Sequence, residues 1–206
     1  MGWFSRITRF GDTHIVFAQE RDISCGLACV IMAAFKINKI KPGARAIFSE
    51  DDILAKATAL LGPNPLGTAG LNNPQLVQLL NHPDLKMPGW RLSTISAAQV
   101  PAQIARKVGV TSGLGFVLNV KPIIVGIDWA GGGGHWVIVD TVRDFMGSTY
   151  ATVCDPWDGN VHVTKLDLTT TFRYTGVPAP GISIGPHFDY QTKVSGGAFI
   201  GDIIER

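Results

Sequence analysis

The sequence predicts an α+β fold in a single domain, with helices first and an antiparallel sheet after them. Three observations carry this expectation. From Ser24 to Phe35 the chain is almost uniformly apolar over a helical length. From residue 116 onward, short β-branched runs alternate with turn residues. The chain has 206 residues, 46% hydrophobic and 17% charged, enough for one domain with a sizeable core and short for two. The expected domain spans 1–206, with a helical half over about 19–115 and a sheet half over about 116–206.

The elements follow in order. Residues 7–19 alternate apolar and polar around Gly11-Asp12, which reads as a short hairpin or an irregular entry segment. Ser24 is placed to cap the apolar helix, and Lys36 falls near its end, where a cation suits the helix dipole. A helix apolar on every side is a buried one, so this helix should lie in the middle of the domain. Ser49-Glu50-Asp51-Asp52 opens a second helix through Ile53, Ala57 and Leu60. A Gly/Pro/Asn-rich loop over 62–74 leads to a short helix from Pro74 to Leu80, and 81–92 is irregular. Ala97 to Val108 reads as a helix, with Pro101 in its first turn or kinking it. The strands are 116–118, 122–127, 135–139, 150–154 and 161–163. The tail from Pro178 reads as loop with a final strand.

Composition excludes several classes. The formal charge of +2 is spread along the chain without a basic stripe, so no nucleic-acid partner is expected. No apolar run is long enough to span a membrane. The start, Met1-Gly2-Trp3-Phe4-Ser5-Arg6, is no secretory signal, and Arg6 stands where a myristoylation site needs Ser or Thr. The expected location is cytoplasmic, or outside the cell by a route without a classical signal peptide. Three cysteines make no disulfide framework and read as free thiols. Nothing in the sequence specifies an oligomeric state.

A thiol that attacks a carbonyl needs conversion to thiolate, a base, and donors for the oxyanion. Cys25, just after Ser24, sits at a helix amino terminus, where unpaired N–H groups favour negative charge. His135 follows four glycines, Gly131 to Gly134, and opens the strand Trp136-Val137-Ile138-Val139. Ordering four glycines is entropically costly, and the run suits a mobile loop that lets a substrate backbone approach the histidine. Asp155 ends the next strand and Pro156 forces a turn. If those two strands pair, Asp155 can hold one imidazole nitrogen and fix the tautomer. Separately, each residue has an ordinary structural reading: a core cysteine, a loop histidine, a turn aspartate.

Together, the motifs resemble those of papain-like cysteine peptidases. Gln19-Glu20-Arg21-Asp22-Ile23-Ser24-Cys25-Gly26-Leu27-Ala28-Cys29 is similar to their active-site segment. Lys121-Pro122-Ile123-Ile124-Val125, Gly134-His135-Trp136-Val137 and Val153-Cys154-Asp155-Pro156 resemble the strands of the bacteriocin-processing peptidase domains of exporters and their free-standing relatives. The resemblance covers motifs over residues 19–163. It implies a papain-like fold, Cys25 as nucleophile, His135 as base, Asp155 as its orienting group and Gln19 in the oxyanion hole. It also implies a protein or peptide substrate and no metal or organic cofactor. Residues 37–115 depart from the family pattern and imply a different substrate cleft, while the tail beyond 165 has no counterpart. No transporter segment accompanies these motifs.

Other assignments stay open at this point. Asp158 could orient His135 in place of Asp155, although strand-end position and family pattern favour Asp155. Cys25, Cys29 and His135 lack the paired spacing of a zinc site. His14, His82, His162 and His187 read as solvated or hydrogen-bonded structural residues. Trp129, Trp136 and Trp157 flank the expected site as groove walls or as core, and Trp90 lies in the intervening region. Neither glycine-rich stretch has the context of a phosphate loop. The expected function is hydrolysis of a peptide or isopeptide bond through a thioester. Alternatives are glutamine deamidation or acyl transfer, which would suit a bacterial effector or toxin, and a catalytically silent papain-like binding module.

Overall fold

The computed structural model describes residues 2–38, 48–112, 121–166, 171–173, 183–184 and 195–206. Within them the fold is α+β, with four α-helices and a large, mainly antiparallel sheet. The chain opens with an antiparallel hairpin of β1 (Gly2–Ile7) and β2 (Thr13–Ala18). It therefore begins five residues before the expected entry segment. Its turn closes through Gly11 N–H on the Thr8 carbonyl at 2.9 Å, with Gly11 at φ 83°, a left-handed position that favours glycine. Trp3 pairs with Phe17 across the hairpin, their rings 5.0 Å apart and edge to face. Both belong to the core around the first helix. This hairpin forms a small separate sheet, a layer the sequence reading did not foresee.

Helix α1 (Cys25–Asn38) is buried on all sides from Cys25 to Ala34, as its uniform apolarity dictates. Helix α2 (Glu50–Leu61) starts with a capping box between Ser49 and Asp52. Helix α3 (Asn73–Leu80) has Asn72 as its cap and Pro74 in the first turn, where a missing N–H costs nothing. The expected helix over 97–108 divides into a 3₁₀ turn at Ala97–Gln99 and α4 (Val100–Val108). Pro101 sits in the first turn of α4 and does not kink it. Within 81–92, read as irregular, the structure forms a 3₁₀ turn at Pro83–Leu85 and then strand β3 (Arg91–Thr94).

The main sheet contains β4 (Val110–Ser112), β5 (Ile123–Trp129), β6 (Gly134–Phe145), β7 (Ser148–Asp155), β8 (Asn160–Lys165) and, after two short strands, β11 (Gly196–Glu205). The short strands are β9 (Thr171–Arg173), paired with β11, and β10 (Ser183–Ile184), paired with β1. The main order is β3-β11-β5-β6-β7-β8, all antiparallel, while β4 runs parallel to the far end of β6. That parallel pair departs from the purely antiparallel expectation. The expected strand at 116–118 lies outside the described residues, as does His187.

Alternation along the strands sorts side chains onto two faces. Ile124, Trp136, Ile138, Cys154 and Ile204 join the core containing α1, α2 and α3. Val125, Ile127, Val137, Val139, Val153 and Ile203 pack with Val100, Ile104 and Val108 of α4. A register shift between Val139 and Thr141 leaves Asp140 as the extra residue of a bulge. The shift explains why Val142 joins Val137 and Val139 on the α4 face despite its even spacing from Trp136. Among the described residues, no helix is long and apolar enough to cross a membrane.

Candidate active site

Cys25 is the first residue of α1, and it is 9% exposed, against 0% for Cys29 and Cys154. The loop before it is held by buried polar contacts. Glu50, fully buried at the start of α2, accepts Glu20 N–H at 2.8 Å and Arg21 Nη1 at 2.6 Å. Burial pushes the Glu50 carboxyl above its ordinary pKa, and the Glu20 and Arg21 donors only partly offset this. Ser24 occupies the cap position by its backbone, its carbonyl accepting Ala28 N–H at 3.0 Å. Its hydroxyl turns back to bond the Arg21 carbonyl at 2.9 Å and accepts Arg21 N–H at 3.2 Å. Ser24 thus shapes the approach to the helix, a change from the side-chain cap expected of it. On the other side, a Cβ at Gly70 would meet the Ile23 carbonyl oxygen at 2.6 Å, so the 62–72 loop packs directly on the Cys25 loop.

His135 lies on β6 and Asp155 at the end of β7, and the pairing of these neighbouring strands brings the side chains together. His135 Nε2 is 2.8 Å from Asp155 Oδ1, and both groups are buried. Cys25 lies near enough to the imidazole to act on its ionisation. With Nε2 committed to the carboxylate, Nδ1 is the nitrogen left for the thiol. Burial lowers the His135 pKa, but the Asp155 charge and hydrogen bond, with Cys25, more than offset it and raise it to about 10. Thiol, imidazole and carboxylate thus form one cluster of the residue types that nucleophilic acyl transfer uses.

The structure also places the other residues read from sequence. Gln19 reaches the loop before Cys25, where its Nε2 donates to the carbonyls of Arg21 at 2.7 Å and Asp22 at 3.1 Å. Its backbone N–H bonds the Pro156 carbonyl at 2.8 Å, tying the turn after Asp155 to the loop before Cys25. Asp158 does not meet His135. It pairs with His162 Nε2 at 2.9 Å and accepts Asn160 N–H at 3.0 Å. Cys29 donates to the Trp136 carbonyl at 3.4 Å, and burial first, then Cys25, pushes its thiol pKa up. Trp129 and Trp157 adjoin the site, whereas Trp136 and Trp90 are core residues.

The glycine run has a more specific basis than mobility. Gly132 and Gly133 adopt φ 97° and 81° in the turn between β5 and β6, which closes through Trp129 N–H on the Gly133 carbonyl at 2.8 Å. A Cβ on Gly131 would lie 2.4 Å from the Trp129 ring, which folds over it, whereas a Cβ on Gly134 meets nothing within 4 Å. Gly131→Ala therefore destabilises the fold by about 1–3 kcal/mol through overpacking, while Gly134→Ala changes it little. Paired urea titrations check this, and equal losses in the two variants contradict it.

A second buried cluster was not legible in the sequence. Asp140 Oδ2 lies 2.6 Å from Lys36 Nζ and 3.1 Å from His14 Nδ1, and Lys36 also donates to the Ile15 carbonyl at 2.9 Å. Cys154 Sγ is 3.8 Å from Lys36 Nζ. Burial first, then Asp140, pushes the Cys154 thiol far above its ordinary pKa, which removes it as a rival nucleophile. His14, Asp140 and Cys154 have ligand atoms within 4.8 Å of one another. The Lys36 ammonium supplies the cation among them, so this set does not fit a divalent metal.

Sequence reasoning missed Glu50 as an anchor, reading it only as part of a helix start. It also missed Ser195, whose hydroxyl donates to Asp155 Oδ2 at 2.7 Å. The Ser195-Gly196-Gly197 stretch marks a tight corner, but no local pattern ties it to a residue forty positions earlier. Comparison with protein-family models yields no match, and a search of curated proteins yields none either.

Proposed function

We propose that this chain is a papain-like cysteine hydrolase that cleaves a peptide or isopeptide bond. The observation that carries the reading is His135, bonded to Asp155 through Nε2, with Cys25 near its ring and Nδ1 left for the thiol. In this reading Cys25 transfers its proton to His135 Nδ1, and the thiolate attacks the scissile carbonyl carbon. The oxyanion is received by the Cys25 backbone N–H, at the start of a helix whose first N–H groups lack intrahelical partners. Gln19 can add a second donor by exchanging one of its two carbonyl bonds. The imidazolium returns the proton to the leaving amine as the C–N bond breaks, leaving a thioester. Water, deprotonated by His135, then releases the acid and restores the thiol.

The test is selective alkylation. Iodoacetamide at pH 6 modifies Cys25 well ahead of Cys29 and Cys154 in the wild type, and His135→Ala abolishes that preference. Slow, ordinary thiol alkylation of Cys25 in both proteins points instead to a catalytically silent binding module. Mass spectrometry of peptide mixtures separates the enzymatic readings. Backbone cleavage supports hydrolysis, whereas a mass gain of about 1 Da without cleavage, the change from amide to acid, supports a glutamine deamidase on the same chemistry.

A further inference from the structure

Asp155 is held by more than His135. Its Oδ1 accepts Trp157 N–H at 2.7 Å as well as meeting His135, and its Oδ2 accepts the Ser195 hydroxyl at 2.7 Å. Ser195 in turn is bonded by Trp129 Nε1 at 3.0 Å. The polarity of this chain is forced. An indole N–H only donates, so Ser195 Oγ accepts from Trp129 and its single proton goes to the carboxylate, which only accepts. With both carboxylate oxygens engaged, the group cannot rotate away from His135 without losing a buried hydrogen bond.

The same tryptophan covers the pair. Its ring lies 5.4 Å from the His135 ring at 34°, and 4.7 Å from the Trp157 ring, edge to face. The backbone explains how Ser195 reaches this place from the far end of the chain. Gly197 pairs with Trp129 between β11 and β5, and Ala130 N–H bonds the Gly196 carbonyl at 2.8 Å. A Cβ on Gly197 would lie 2.3 Å from the Asp128 carbonyl oxygen, and Gly196 has φ 135°. Only glycines let the strand approach closely enough to set the serine on Asp155.

We infer that Ser195 and Trp129 are positioning residues: a relay from Trp129 through Ser195 to Asp155 fixes the carboxylate, and with it the tautomer and orientation of His135. The inference rests on the cysteine-hydrolase reading of the site. It assigns the C-terminal strand a part in the catalytic array that its distance in sequence conceals. The other titratable groups nearby are Cys25 and Cys29 on α1, and Asp158 with His162 beyond Asp155. Neither Ser195 nor Trp129 carries a charge, so their removal changes the array by geometry and hydrogen bonding alone.

The experiment is the pH profile of Cys25 alkylation by iodoacetamide in wild type, Ser195→Ala, Ser195→Thr and Trp129→Phe. Ser195→Ala moves the acid limb upward by about half a pH unit or more, a roughly threefold loss of rate on that limb. Ser195→Thr, which keeps the hydroxyl, restores it. Trp129→Phe keeps a ring over His135 but loses the N–H, and moves the limb in the same direction. If Ser195→Ala does not fold, Trp129→Phe decides the matter alone. Limbs that coincide in the folded variants, whatever their thermal stability, overturn the positioning role. A wild type without an acid limb refutes the hydrolase reading itself, a separate outcome.

Discussion

Lys36→Met lowers the free energy of unfolding by about 3–5 kcal/mol, the usual result of stranding one partner of a buried ion pair. Lys36 Nζ is buried among Asp140 Oδ2 at 2.6 Å, the Ile15 carbonyl at 2.9 Å and Cys154 Sγ at 3.8 Å. Burial drives the ammonium toward the neutral form, but the Asp140 charge more than offsets it and the lysine pKa ends above its ordinary value. Burial likewise disfavours the Asp140 carboxylate, yet His14 and Lys36 hold its pKa well below the usual range. Both partners are therefore ionised at neutral pH. Methionine fills much of the lysine volume, so the loss reports the missing charge more than a cavity. The double variant Lys36→Met/Asp140→Leu recovers part of the loss, because no buried carboxylate is then left without its cation. Urea denaturation of the single and double variants measures the coupling. A single-variant loss under about 1 kcal/mol means that the pair is open to water and contributes little.

This pair shows where the sequence stops being legible. The burial of α1 could be read because eight consecutive residues from Leu27 to Ala34 are apolar, and no amphipathic placement accommodates that. Lys36, two residues further on, read equally well as a cation favoured by the helix end. Its real partner, Asp140, lies 104 positions away on a bulge that no propensity announces. The same contrast holds at the site. Cys25, His135 and Asp155 were legible because each opens or ends an element, and because β6 and β7 are consecutive strands whose pairing is the default for a hairpin. Ser195 and Glu50 were not. Each acts through long-range hydrogen bonds between surfaces that meet only in the folded chain. The glycine run was half legible: its turn could be expected, but the ring folded over Gly131 belongs to tertiary packing. The first strand of the entry hairpin was missed for a related reason, since Gly2 to Arg6 lacks the clean alternation of a strand with one wet face.

Asp155→Asn produces a stability loss that depends on pH in a definite direction. His135 has its folded pKa raised from 6.5 to about 10, after the lowering effect of burial is outweighed by Asp155 and Cys25. A histidine raised in the folded state contributes stability that is fully present below its unfolded pKa, and that is lost as pH rises through the folded pKa. The charged pair therefore stabilises the wild type most at pH 6, decreasingly from 6.5 upward, and no longer above about 10. Asparagine keeps the shape, but its single oxygen can accept at only one of the positions that Trp157 and Ser195 now fill, and it carries no charge to hold an imidazolium. The gap between wild type and Asp155→Asn is on the order of 3–5 kcal/mol at pH 6 and loses roughly half of its pH-dependent part by pH 8. What persists at pH 10 is the cost of a misplaced amide in a buried network. Urea titrations from pH 6 to 10 trace the curve. A gap that stays constant over that range means His135 is neutral in the folded protein, and Asp155 then orients the ring without holding a charge on it. Such a histidine could still serve as a base toward Cys25, but it would not hold a standing thiolate–imidazolium pair, and the alkylation preference at pH 6 would be absent with it.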